Sequence, residues 1–301
     1  MPADKDFNNL SYDKHDRNYQ VYAAGSEKEN LAKTWFNEET VDAWHHRRMH
    51  NLLDPLFEMF PEASWLTVGD GRCGSDAHYV QSKVLNVLAT DISEILLKEA
   101  KEAGYIKKYK KENAEFLSFP DREFDFVLCK ESYHHFPRPA VALYEMLRVA
   151  KKGVVLIEPN DNYVLSSSVA ILFRNFKDLI KRVLGKKVVR HSFEEVGNYC
   201  YTISKREIEK LALGMNFKAV VFKGIHSYYL NGEEYEKTAS NGKLFKKIKR
   251  RIALYDLLTK LGVQQHAVLM AVIFKEKISS EFEKKLNNDG YEVVMLPDNP
   301  Y

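Results

Sequence analysis

The sequence predicts an α/β protein built on a mostly parallel sheet with helices on both faces. Three observations lead there. Between Ser64 and Ile157, short apolar runs of strand character alternate with segments of helical period, the pattern of successive strand–helix–strand crossovers. A glycine-rich stretch, Gly69-Asp70-Gly71-Arg72-Cys73-Gly74, links the first run to the first helical segment. An acidic residue, Asp91, closes the second run, about twenty residues beyond the glycines.

Residues 1–60 are expected to form a helical N-terminal extension. Its first 40 residues or so are polar and rich in Asn, Lys and Tyr, with no steady period. From Glu39 to Phe60 the pattern is helical, with Val41, Trp44, Met49, Leu52, Leu53, Leu56 and Phe57 on a broad apolar stripe, and Pro61 punctuates the chain. Residues 64–160 form the half with the alternating rhythm. Ser64–Val68 is a strand and Ser75–Gln81 a helix. Val84–Thr90 is the second strand, followed by a helix over Ser93–Ala103 closed by Gly104. A weak strand at Tyr109–Lys111, a bulky strand at Phe124–Cys129, a helix at Pro139–Ala150 and a strand at Val154–Ile157 complete this half.

After Asp161 the rhythm breaks. Residues 161–200, with a basic helix around Phe173–Leu184, and residues 231–266 read as insertions that form a lid over an acceptor. Between and after them, a helix at Lys205–Leu213 and strands at Lys218–Phe222 and Val268–Phe274 return to the sheet. No repeat and no long flexible linker divides the chain, so one domain with two excursions is expected.

Composition narrows the function classes. A chain of 301 residues can bury one sizeable core, and 45% hydrophobic with 29% charged residues excludes global disorder. A net charge of +3 does not point to nucleic acid as a partner. Cys73, Cys129 and Cys200 lie far apart, which fits neither a disulfide framework nor a metal site. The charged start lacks a secretory apolar stretch, and runs such as AVLMAVIF fall far short of the ~20 residues that cross a bilayer. A cytoplasmic location without integral membrane contact is therefore expected. The sequence leaves the oligomeric state open.

Glycine in the turn after the first strand lets the backbone bend sharply and approach a ligand closely. A carboxylate ending the next strand can accept both hydroxyls of a ribose. Together Gly69, Gly71, Gly74 and Asp91 point to a nucleoside cofactor, and taken alone they would also suit a nicotinamide oxidoreductase.

The next segment separates these choices. Glu112-Asn113-Ala114-Glu115-Phe116-Leu117-Ser118-Phe119-Pro120-Asp121-Arg122-Glu123-Phe124-Asp125-Phe126-Val127-Leu128 resembles a stretch of class I S-adenosylmethionine-dependent methyltransferases. Cys129-Lys130-Glu131-Ser132-Tyr133-His134-His135-Phe136 is similar to that family's fourth-strand exit, where a double histidine recurs. The resemblance covers about residues 65–230 and the strand at 268–274. It implies a Rossmann-like, seven-stranded sheet whose last strand is antiparallel, with S-adenosyl-L-methionine across the carboxyl ends of the first strands. It further implies that Gly69, Asp70 and Gly71 cradle the methionine part and that Asp91 holds the ribose. Ile92, Asn113 and Ala114 would then meet the adenine, and Lys130 would line the cofactor. The family's acid two places before the first glycine is Thr67 here, and its third glycine is Cys73. Asp70 is the residue available to replace the missing acid.

Methyl transfer needs alignment and, for a hydroxyl acceptor, a base. His134 and His135 follow the fourth strand, at the edge where open α/β sheets bind ligands, and are the candidate catalytic residues. Glu131 and Glu158 lie at the same edge and are candidates for holding the acceptor. His45-His46-Arg47-Arg48 reads as a solvated helix face, because adjacent residues point different ways. The basic segments at Arg174–Lys187 and Lys243–Arg251 read as charged outer faces that could also rest on an anionic membrane. The leading expectation is methylation of a hydroxyl or amine on a small polar acceptor, such as a sugar or nucleotide-linked sugar. The alternatives are carbon methylation of a quinone-like or lipid acceptor and a non-catalytic protein that binds S-adenosylmethionine.

Overall fold

The computed structural model describes residues 3–164, 167–194 and 198–300. In chain order, α1 (Ala3–Gln20), α2 (Glu29–Thr34), α3 (Val41–His50) and α4 (Asp54–Met59) precede the sheet. The alternating half follows as β1 (Trp65–Val68), α5 (Ser75–Gln81), β2 (Val87–Asp91), α6 (Ile95–Glu102), β3 (Tyr109–Lys111), β4 (Phe124–Lys130), α7 (Pro139–Val149) and β5 (Ala150–Pro159). Then come α8 (Ser168–Val183), α9 (Lys205–Gly214), β6 (Ala219–Ile225), α10 (Lys243–Lys260), β7 (Val268–Phe274), α11 (Ser280–Asn288) and β8 (Glu292–Met295). No described helix is long and apolar enough to cross a membrane.

The strands form one sheet in the order β3-β2-β1-β4-β5-β7-β6-β8. β1 to β5 are mutually parallel, and β7 runs antiparallel between β5 and β6. The α/β class is therefore as expected. The count of seven strands is corrected to eight, because β8 adds antiparallel to the outer side of β6. Short and partly exposed, β8 lacks the buried apolar run that announces the inner strands.

Neighbouring residues on each strand serve opposite layers. Trp65, Phe126 and Val155 join one buried cluster, while Leu66, Val127 and Leu156 join the other. Both faces are thus covered, as a parallel sheet requires.

The helical stretch expected from Glu39 to Phe60 consists of α3, a tight turn at Asn51–Leu53, and α4. Pro55 in the first turn of α4 has no N–H to donate to the preceding turn, so one continuous helix cannot run through it. The aperiodic first 40 residues also contain α1 and α2, and residues of α1, with Trp35 just after α2, reach the carboxyl edge of the sheet.

Candidate active site

The strand order reverses between β1 and β4, and ligands of open α/β sheets bind at such a switch point. Leaving β1, the chain turns at Gly69 with φ +77°, a backbone angle that disfavours side chains. A Cβ there would also sit 2.8 Å from Ser132 Oγ. The Ser132 hydroxyl donates to the Gly69 carbonyl at 2.5 Å and so ties the β4 exit to the turn.

Asp91 ends β2 directly beside this turn. A Cβ on Gly71 would lie 2.8 Å from the Asp91 carboxyl carbon and would collide with the Tyr19 ring. The buried carboxylate accepts the Ser93 N–H at 2.8 Å. Burial pushes its pKa up to about 7, although backbone N–H groups of Ser93, Gly71 and Ile92 favour the charged form. A buried carboxylate short of a countercharge, next to a turn without side chains, fits a ligand that brings hydroxyl donors.

Asp70 is positioned differently. Its Oδ1 accepts the Asp76 N–H at 3.0 Å, and its Oδ2 accepts the Ala77 N–H and the Thr67 hydroxyl, both at 2.8 Å. The carboxylate caps the start of α5 and consumes the Thr67 hydroxyl as well. As a replacement for the missing acid it is already engaged three times, and its backbone is engaged as well, the N–H donating to the Thr90 carbonyl at 3.0 Å and the carbonyl accepting the Gly74 N–H at 2.9 Å.

Two cavities open at this edge. The larger, of about 460 Å³, is lined by residues including Tyr19, Gly69, Arg72, Lys130, Glu131 and His135. The smaller, of about 50 Å³, touches Tyr12, Tyr19, Asp91, Ile92, Glu112 and Ala114. Ile92 and Ala114 therefore stand where an adenine was expected. Asn113 does not line it: its side-chain oxygen accepts the Glu115 N–H at 2.9 Å in a local turn, and Glu112 takes its place on the wall. About 50 Å³ is far below the several hundred Å³ of a typical small-molecule pocket. Tyr12 and Tyr19 of α1 stand on this wall.

Charge on the larger cavity is organised around Lys130. Its buried ammonium lies 3.2 Å from Asp76 Oδ1 and 3.5 Å from Glu131 Oε2, and it donates to His46 Nδ1 at 3.1 Å. Burial alone would lower the lysine pKa, but Asp76 and Glu131 raise it overall. Burial and the neighbouring Lys130 and Arg72 drive the His46 pKa well down, so this imidazole is neutral. His46 is thus a cavity residue, which corrects the reading of His45–Arg48 as a solvated face. His45 is also buried, 2.5 Å from Glu233, while Arg47 remains exposed.

The two adjacent histidines have separate positions. His134 Nδ1 lies 2.6 Å from Glu158 Oε2, and Glu158 Oε1 accepts the N–H groups of Ser132 and Tyr133 at 2.9 Å. Burial alone would lower the His134 pKa, but the Glu158 charge raises it overall. Glu158 is fully buried, engaged at both oxygens, and lines neither cavity. Its geometry pins the β4 exit onto β5 and leaves no oxygen free for an acceptor.

His135 lines both cavities, with Nδ1 2.7 Å from Glu194 Oε1. The ring nitrogens of His134 and His135 and the Glu194 carboxylate lie within 4.8 Å of one another, close enough to hold a metal ion as well.

Sequence reasoning missed Tyr12, His15, Tyr19 and Trp35 from the extension and Glu194 from the first insertion. The only hint was the abundance of Tyr in an otherwise polar segment. Residues 231–266 contribute nothing to either cavity wall.

Residues 66–157 match a family model described as a methyltransferase domain. Over these residues the core of this chain is similar to a methyltransferase domain. The chain is also 34% identical over 125 residues to 2-methyl-6-phytyl-1,4-hydroquinone methyltransferase of Synechocystis sp.. That match covers 40% of this chain and only 38% of the curated relative's length. Among solved structures, the YcgJ protein of Bacillus subtilis is similar, with 17% identity and a TM-score of 0.47. The match covers 77% of this chain and all of that one. A SAM-dependent methyltransferase of Methanosarcina mazei is similar at 18% identity and TM-score 0.45, over 75% of this chain and 98% of that one. The assignment rests on the family match and the strand order rather than on these distant superpositions. The residues present fit S-adenosylmethionine at the bare turn and at Asp91, while Thr67 stands where an acid was expected for its ammonium group.

Proposed function

We propose that the whole chain is an S-adenosylmethionine-dependent methyltransferase acting on a hydroxyl or amine of a small polar acceptor, with a sugar or nucleotide-linked sugar as the favoured class. The observation that carries this reading is His135, held through Nδ1 by Glu194 on the wall of the larger cavity. A carboxylate on Nδ1 fixes the tautomer and leaves Nε2 as the basic nitrogen. When bound, S-adenosylmethionine supplies an electrophilic methyl carbon whose bond to sulfur breaks as the acceptor bonds to it, the electron pair staying on sulfur. His135 takes the acceptor's proton at Nε2, and Glu194 stabilises the imidazolium. Gly69, Gly71 and Asp91 hold the cofactor, with Ile92 and Ala114 against its adenine. Lys130 and Glu131 set the charge of the wall that the acceptor meets.

The polar walls support a polar acceptor. A further cavity beneath the first insertion, of about 280 Å³, is lined by Asn160, Asp161, Arg190 and His191 among others. A second reading, carbon methylation of a hydroquinone-like ring, is favoured by the similarity to the hydroquinone methyltransferase.

The test is methyl transfer from labelled S-adenosylmethionine to panels of sugars, nucleotide-linked sugars, amines and hydroquinones, with the His135→Ala variant alongside. Turnover on a hydroxyl or amine acceptor, with kcat lowered about 10²–10⁴-fold in the variant and cofactor affinity retained, supports the proposal. Full turnover by His135→Ala would remove the base. Product on ring carbon alone selects the second reading, and cofactor binding without turnover on any panel leaves a non-catalytic binding protein.

A further inference from the structure

Helix α8 faces the wrong way for a helix that belongs only to this fold. Its inward side is Ala170, Ile171, Arg174 and Asp178, of which only Ala170 is fully buried. Arg174 donates to the Tyr163 carbonyl at 2.8 Å, and Asp178 pairs with Arg190 at 3.6 Å. The apolar stripe lies on the other side. Leu172, Phe173, Phe176, Leu179, Val183 and Leu184 are 52% to 78% exposed. They follow the i, i+3, i+4 spacing of a single face. A soluble surface rarely leaves so long an apolar row open to water.

Charge identifies what covers it. Residues 168–190 carry seven basic side chains (Arg174, Lys177, Lys181, Arg182, Lys186, Lys187, Arg190) against one acidic, Asp178. The start of α8 is tied to the end of α10, since the Ser167 hydroxyl donates to the Gly262 carbonyl at 2.6 Å. α10 adds exposed Leu254, Leu257 and Leu261 and a run, Lys243–Arg251, without an acidic residue. A second copy of this chain would set like charges face to face. An apolar stripe flanked by cations instead matches an anionic lipid surface, with chains below and phosphate headgroups at the rim.

We propose that α8 seats this protein on anionic membranes, its apolar stripe in the outer acyl region and its cations on lipid phosphates. The site is separate from the methyl-transfer chemistry and stands whether or not the acceptor reading holds.

The full chain is tested by co-sedimentation with vesicles of phosphatidylcholine alone and of phosphatidylcholine with phosphatidylglycerol. Partitioning is expected to rise about tenfold or more with the anionic lipid and to fall with added salt. The Phe173→Ser/Phe176→Ser variant is expected to lose roughly tenfold or more of it, and Lys181→Glu/Arg182→Glu to abolish the preference for anionic lipid. Both variants change exposed residues, so unchanged thermal melting and unchanged S-adenosylhomocysteine binding show an intact fold and separate this result from the catalytic reading. No binding to anionic vesicles, or binding that both variants retain, overturns the proposal. So does sedimentation velocity showing a dimer that Phe173→Ser/Phe176→Ser dissolves while vesicles are ignored.

Discussion

Lowering the pH from about 8 to about 6 is expected to weaken S-adenosylhomocysteine binding about tenfold, through the titration of Asp91. In the ligand-free protein burial holds this carboxyl near a pKa of about 7. Its charged form is the one that accepts two ribose hydroxyls. Roughly nine-tenths of the protein carries that charge at pH 8 and roughly one-tenth at pH 6, so affinity is present above the folded pKa and lost below it. The ligand's own groups do not titrate in this window, and calorimetry across it reads the slope directly. Asp91→Asn is expected to bind about a hundredfold more weakly at pH 8, since each of two hydrogen bonds falls from about 1.5–3 kcal/mol with a charged acceptor to about 0.5–1.5 kcal/mol with a neutral one. It should also flatten the profile. Stability moves the other way. A carboxyl whose folded pKa lies above its unfolded value destabilises the native state as pH rises between the two, so the variant should melt higher than the parent at pH 8 without ligand. A flat profile in the parent, or the same slope in Asp91→Asn, would refute this account of Asp91.

Two further outcomes follow from the same edge. Tyr19→Ala should speed cofactor association, measured by stopped-flow fluorescence, because the Tyr19 ring packs on Gly71 and lines the cramped cavity beside Asp91; an unchanged rate would mean that α1 does not limit entry. Glu158→Gln should lower stability by about 3 kcal/mol in urea titration, since it strips the buried His134 ring and two N–H donors of their charged partner. A loss below about 1 kcal/mol would show that His134 is neutral and weakly held.

Much of the core was legible because its signals are local. The helix Ser75–Gln81 and the strands Tyr109–Lys111 and Val268–Phe274 have the bounds that their periodicity predicts. Gly69, Gly71 and Asp91 are recognisable because the glycines follow β1 and Asp91 closes β2, and parallel pairing of the two strands brings their ends to one edge whatever lies between. β8 was not legible, since four residues on an exposed rim carry little pattern.

Alone, the sequence determined the parallel half of the sheet, the bare turn and the carboxylate beside it, since strand period and turn chemistry are properties of neighbouring residues, while the expected cofactor came from the resemblance of residues 112–136. Only the tertiary structure decided which histidine meets the cavity, because that depends on Glu158 and Glu194 arriving from distant segments. It also decided that Asp70 is spent on capping α5, that Tyr12 and Tyr19 stand on the cavity beside Asp91, and that α8 turns its apolar stripe outward. A helical stripe in sequence shows that one face is apolar; whether that face meets the core or the solvent is set by what the rest of the chain packs against it.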